Sequence, residues 1–334
     1  MTTASAAKPV RTDSGSGLPS QRWTLAELVF WLVPVAAFFV FPDYLTLGSQ
    51  VLIAGLFALS LDLILGYARI LSLGHAAFFG LGAYTAGLLA KYGWGEPLSG
   101  LVLAAVVAGS VGFITSFLVV RGQDLTRLMV TMGIGLMLYE AANQATAFTG
   151  GVEGLSGVEM RKIFGVFGFD MSGRTAYLYC LVVVFAIFVL ARTLVRSPFG
   201  LSLRGVREGE RRMPAIGVSV PRKLVAVYTV GATIAGIAGA LLAQTTQFVG
   251  LEVLSFPRSA ELMIMLVLGG TGYLYGALVG AAVFMLLQDY LAGLNPVYWQ
   301  FWLGLLLIVI VLFARGGIVG GIAALRNRYR VRQP

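Results

Sequence analysis

An all-α integral membrane protein is the fold class predicted for this chain, on three observations. Of its 334 residues 58% are hydrophobic and 12% charged, and the mean hydropathy is +0.85. That leaves too few polar side chains to cover a water-soluble globule. The apolar residues gather in runs of about 20, the length needed to cross a hydrocarbon layer, and the basic residues fall between the runs. A formal net charge of +9 scattered in this way makes no continuous basic face. It reports orientation and gives no ground for a nucleic-acid partner.

The elements follow in order. Residues 1–24 are polar and rich in Ser, Gly and Thr, which predicts a disordered cytoplasmic tail. The apolar run after them lacks a small-residue cleavage site, so no signal peptide is expected. Candidate spans are Leu25 to Phe41, Leu47 to Gly66, Leu73 to Ala90, Leu98 to Val120 and Leu128 to Phe148. Beyond a turn-rich stretch come Thr175 to Leu194, Leu224 to Gln247, Ser259 to Gly272, Gly276 to Leu291 and Tyr298 to Ala314. That makes about ten transmembrane or re-entrant helices in one domain over 25–315, with a basic cytoplasmic tail over 316–334. The eighth segment is short and ends in "LGGTGYLYG", the mark of a half-helix or re-entrant turn.

Alternate sides of these segments carry unequal charge: 19 of the 24 Lys and Arg residues lie on the side of the two tails. The positive-inside rule then puts both termini in the cytoplasm of a multi-pass protein, surrounded by membrane lipid. The longest outer loop, Thr149 to Arg174, contains "TGGVEGLSGV" and reads by default as a surface loop. One cysteine, Cys180, allows neither an internal disulfide nor a zinc cluster. No metal or cofactor is expected.

The only histidine lies in "LSLGHAAFFGLGAYTAGLLA", Leu71 to Ala90. On a helix, Ala76, Gly80, Ala83 and Gly87 share a face, with Gly82 and Ala86 in a second row beside it. Small residues at this spacing let membrane helices approach closely. Gly231, Ala235 and Gly239 repeat the device in the seventh segment, as do Gly276 and Gly280 in the ninth. His75 stands at the cytoplasmic start of its segment, where its ring could reach water. It is open to two readings, a brace or cap for the helix and a part in gating. No second histidine or carboxylate cluster joins it to make a metal site or a general base.

Glu140 falls within the fifth segment, with Asn143 and Gln144 one turn on. An ionisable group inside a span costs about 2.5–3.5 kcal/mol on insertion scales, so it is expected to face protein or water. Glu140, Asn143, Gln144 and His75 are the pathway candidates, the alternative for Glu140 being an interhelical hydrogen bond. Asp62 is expected to pair with Arg69, two turns on.

Between the sixth and seventh segments, "RSPFGLSLRGVREGERRMPAIGVSVPRKLVAV" mixes basic, acidic and apolar residues, as a short helix docking on a protein partner would. At this point the chain resembles the permease subunits of bacterial ABC importers of the branched-chain amino acid type, specifically the M-like subunit. Three further stretches carry the resemblance: "SLGHAAFFGLGAYTAGLL" from Ser72, "TGGVEGLSGV" from Thr149 and "LVLGGTGYLYGALVGA" from Leu266. It covers roughly Leu47 to Arg315.

The resemblance implies a translocation pathway formed with a second related permease subunit, two cytoplasmic ATP-binding subunits and a periplasmic solute-binding protein, in a bacterial inner membrane. It implies a coupling loop at about 196–223, with a coupling helix from Arg204 to Gly217 seated on an ATPase. Arg204, Arg207, Glu208, Glu210, Arg211, Ala215 and Gly217 would make that contact; Glu208, Glu210, Ala215 and Gly217 match the family pattern, and Pro214 departs from it. Leu136 stands where relatives often carry an acid, and Arg127 where an apolar residue is expected. The solute would be a branched-chain amino acid or a related small amino acid, amide or carboxylate. The chain has no "GxxxxGK[ST]", so it is expected to be no ATPase itself. The rival reading is a secondary transporter driven by an ion gradient through Glu140 and the broken eighth segment.

Overall fold

The computed structural model describes residues 25–162, 168, 173–296, 298–313 and 316–321. The tail predicted for 1–24 and most of that predicted for 316–334 lie outside them. The regular elements are helices: α1 (Leu25–Val40), α2 (Leu45–Ala68), α3 (Ala76–Lys91), α4 (Pro97–Arg121), α5 (Asp124–Gln144), the single turn α6 (Thr146–Thr149) and α7 (Arg174–Arg196). They continue with α8 (Pro198–Gly209), α9 (Val220–Thr246), α10 (Phe256–Gly269), α11 (Leu274–Leu294) and α12 (Trp299–Phe313). Proline in the first two positions opens α4, α8, α9 and α10, where its missing N–H has no partner to lose.

Each predicted segment coincides with a helix. Those containing α2, α4, α5, α7, α9 and α11 are long and apolar enough to cross a membrane. The 24 residues of α2 rise about 36 Å, more than the hydrocarbon thickness of about 30 Å. The 14 residues of α10 rise only about 21 Å, as its short apolar run foretold.

Enclosure differs sharply among them. Most of α2 and α9 is buried, whereas α5 leaves Met129, Leu136 and Met137 bare along one side. The centre is made of α2, α3, α4 and α9, and small residues set its spacing. A methyl group on Gly82 would strike the backbone of Gly236, and one on Gly239 the carbonyl of Phe79. Gly231 lies against Ile64 and the Ser60 carbonyl, and Ala235 beside it is fully buried. Inside lipid, where hydrophobicity drives no helix pairing, such close approach maximises dispersion contact.

The first small-residue row of α3 has a different neighbour from the one its spacing suggests. Gly80 faces Leu254 and Val253, and Gly87 faces Leu155 and Val249; Ala76 and Ala83 are buried beside them. Much of this face is covered by connecting segments, and Gly82, from the second row, makes the backbone crossing with α9.

"TGGVEGLSGV" is likewise no bland surface loop. Leu155 and Val249 exchange backbone hydrogen bonds of 2.8 and 3.2 Å, and Leu155 and Val158 are buried. The Thr149 hydroxyl donates to the Ala142 carbonyl at 2.7 Å, while Gly150, Gly151, Gly154 and Gly157 hold the positive φ angles that fold the segment inward.

After α10 the chain reverses through Gly270 (φ 110°) and Gly272 (φ 82°). The helices α10 and α11 then run antiparallel in backbone contact, Gly269 against the Gly276 carbonyl and Gly280 against that of Met265.

Candidate functional site

The mixed-charge stretch folds as a short amphipathic helix and a tight turn. Ser197 caps α8, accepting from the Gly200 N–H at 3.4 Å, and Gly200, Leu203 and Val206 bury one side of the helix. The helix ends at Gly209. A 3₁₀ turn, Met213–Ile216, follows and is closed by Gly217 at φ 82°. The coupling helix expected as one piece from Arg204 to Gly217 is therefore two pieces, and it starts earlier, at Pro198. Pro214 explains the break: it has no N–H to continue a helix but fits the start of a new turn. Buried Met213 tucks under Gly205, leaving Ala215, Ile216 and Gly217 exposed at the tip.

The predicted coupling residues divide into two groups. Glu208, Arg211, Ala215 and Gly217 are exposed and make none of the observed ion pairs. Arg204, Arg207 and Glu210 reach into their own chain. The Arg204 guanidinium carbon lies 5.6 Å from the centre of the Tyr67 ring. Arg207 donates through Nη1 to the Gly66 carbonyl at 2.6 Å.

Glu210 receives Arg127, whose Nη2 is 2.8 Å from Oε1 and whose Nη1 is 3.4 Å from Oε2. The Arg127 side chain is 7% exposed and that of Glu210 45%. The residue that looked out of place in an apolar run is thus the anchor joining α5 to the end of α8.

Arg69 does not take the role expected of it. Asp62 is buried and accepts from the Gly272 N–H at 2.7 Å, while Arg69, just past the end of α2, turns into the left-handed region at φ 57° and is exposed. Since Gly66 also touches Gly272, one junction joins α8, the end of α2 and the α10–α11 turn.

The pathway candidates are not brought together. His75 is fully buried rather than at the water-facing position expected: Nε2 lies 2.8 Å from Ser60 Oγ, and the ring lies parallel to Phe57 at 5.8 Å. It precedes α3 without a side-chain cap bond. In this structure it braces α3 against α2. Glu140 and Gln144 do meet, Nε2 donating to Oε1 at 2.6 Å. They are exposed in the last turns of α5, and Asn143 is half-buried. Glu140 thus faces out of this chain, on the bare side of α5 and near its end. That side chain is placed neither near the middle of the helix nor in an interhelical hydrogen bond.

Gln244 is a polar residue whose role the sequence did not disclose. Buried in α9, it accepts from the Tyr179 hydroxyl at 2.9 Å and donates to the Pro97 carbonyl at 2.8 Å, tying three helices.

Known proteins resemble this chain in sequence. The family model described as the branched-chain amino acid transport system permease component matches residues 44–312. The high-affinity branched-chain amino acid transport system permease protein LivM of Salmonella typhimurium is 29% identical over 328 residues, covering 91% of this chain and 76% of its own. The autoinducer 2 import system permease protein LsrC of an Enterobacter species is 30% identical, over 87% of this chain and 85% of its own. LivH of Escherichia coli is 23% identical, over 82% and 92%. No solved structure gives a significant match. The family match takes in the central bundle, the α10–α11 hairpin and the α8 turn together, and the chain belongs to the branched-chain amino acid transport system permease family.

Proposed function

We propose that this chain is the membrane permease subunit of an ATP-driven ABC importer in a bacterial inner membrane, with both termini cytoplasmic. It would work with a second related permease, two ATP-binding subunits and a periplasmic solute-binding protein. The observation that carries the reading is the α8 turn: its exposed tip is suited to a partner, while its inner residues grip the helices. Arg127 and Glu210 join it to α5, and Arg207 joins it to the end of α2 beside the α10–α11 reversal. Closure of the ATPase pair would move the tip, and these contacts would pass the movement to α5 and the hairpin. Such a shift requires the two states to differ in their contact free energy with the ATPases.

The second permease is placed against the bare side of α5, so that Glu140 and Gln144 face a pathway between subunits. The existence of relatives named LivM and LivH in one organism supports a paired permease. The solute is proposed to be a branched-chain amino acid or a related small amino acid, amide or carboxylate, on the strength of the LivM likeness. The test is co-expression with candidate ATPases and binding protein, followed by reconstitution in vesicles. Co-purification and solute-stimulated ATP hydrolysis are expected; uptake without ATPases, driven by an ion gradient, would favour the secondary-transporter reading instead.

A further inference from the structure

Beside α8 lies a cavity of about 790 Å³ between the start of α1, the end of α7 and the turn leading into α11. Four arginines line it, Arg192 and Arg196 from the last turns of α7 and Arg204 and Arg207 from α8, against Glu27 and Glu208. Glu27 bridges the first pair, at 2.7 Å from Arg192 and 2.8 Å from Arg196. Arg204 and Arg207 have no carboxylate at ion-pair distance among the described residues. With four arginines against two glutamates the cavity is electropositive; Arg207 gives Nη1 to the Gly66 carbonyl and Arg204 lies over Tyr67, and their other N–H groups are of the kind that recognise phosphate oxygens.

A second cavity of about 760 Å³ lies between α1 and α11 over a floor made by α2. Phe30, Pro34 and Ala37 line it from α1, and Leu278, Ala282 and Leu286 from α11. The walls of the two cavities meet at one aromatic contact: Phe30, from the apolar groove, packs edge-on against Tyr275, from the basic cavity, at 4.9 Å. The groove runs from Phe30 to Phe41, a helix rise of roughly 16 Å. That is close to the depth of one leaflet of a hydrocarbon layer about 30 Å thick. Val33 of α1 and Leu286 of α11, both lining the groove, are more than half exposed, so the groove has an open side.

A basic pocket beside an apolar channel one leaflet long matches a charged headgroup with its chain. We propose that this compound site holds one anionic phospholipid, its phosphate among the arginines and one acyl chain along the α1–α11 seam. The lipid would fasten α1 to the bundle beside the α8 junction.

The test uses the full-length chain in detergent, titrated with phosphatidylglycerol or phosphatidylcholine and followed by native mass spectrometry. One phosphatidylglycerol should be retained, at least tenfold more tightly than phosphatidylcholine. Arg204→Gln, at an exposed position, should weaken phosphatidylglycerol at least tenfold, and Arg204→Lys should keep most of the binding. Ala282→Trp should also weaken it, although no charge changes. Equal retention of the two lipids would overturn the headgroup assignment. If phosphatidylglycerol binding survives Ala282→Trp while millimolar inorganic phosphate displaces it, the pocket takes free phosphate and the lipid proposal fails. It fails equally if folded wild type retains no lipid.

Discussion

Arg127 and Glu210, 83 residues apart, form a two-point ion pair with the arginine sunk in the bundle and the glutamate at its edge. The exposed glutamate is screened by water, so the pair adds less stability than a fully buried one. Its removal is nonetheless asymmetric. Glu210→Ala strands a buried guanidinium and should cost about 1–3 kcal/mol; Arg127→Ala frees an acid already half in solvent and should cost less. Thermal unfolding of the two purified variants measures the difference, and an equal loss would contradict it. If the pair also transmits motion, both variants should hydrolyse ATP in the assembled complex with weaker dependence on solute.

Charge reversal at the tip should separate docking from folding. Arg211 and Arg212 are exposed and make none of the observed ion pairs. Arg211→Glu with Arg212→Glu should therefore leave the permease monodisperse while lowering its affinity for the ATPase subunits about tenfold at low salt. Rising ionic strength should narrow that gap. Arg207→Glu should behave differently, because it replaces the donor to the Gly66 carbonyl with a second acid near Asp62. Reduced yield of folded protein is the expected result there.

Small-residue contacts predict a graded series within α3. Gly82→Ala meets the Gly236 backbone, which has no rotamer with which to yield, and should cost about 1–3 kcal/mol or block folding. Gly80→Ala meets the flexible end of Leu254 and should be milder. Melting temperatures in one detergent would rank them; the reverse order would show that the connecting segment is the stiffer neighbour.

Glu140→Gln keeps size and hydrogen bonding while removing charge. ATP-driven uptake in vesicles should fall while assembly with the second permease persists. Unchanged uptake at matched expression would remove Glu140 from the pathway.

Helices were readable because a run of apolar residues has no other stable home in lipid. A short helix in the mixed-charge stretch was readable from its composition, but the face it buries, Gly200, Leu203 and Val206, emerged only on folding. Partners were harder to read. Asp62 and Arg69 share a face on a continuous helix, but α2 ends at Ala68 and the acid's partner is the Gly272 N–H, 210 residues away. No local pattern encodes that meeting. The spacing of Ala76, Gly80, Ala83 and Gly87 identified a face without saying what would cover it. Arg127 stood out as misplaced, yet only folding showed that an acid beyond α8 comes to meet it.

The bare side of α5 has a consequence for how such carriers diversify. This helix meets its own chain partly through backbone, where Gly135 touches Gly74, and partly through the ion pair near its start. Neither fastening uses Met129, Met137 or Glu140. If the strip faces the proposed pathway, a lineage can rewrite it to suit a new cargo while leaving the mounting untouched, as a tool bit is changed in a fixed chuck. Under that proposal, differences between importers that take up unlike molecules should concentrate on this strip, while the Gly74–Gly135 contact stays the same.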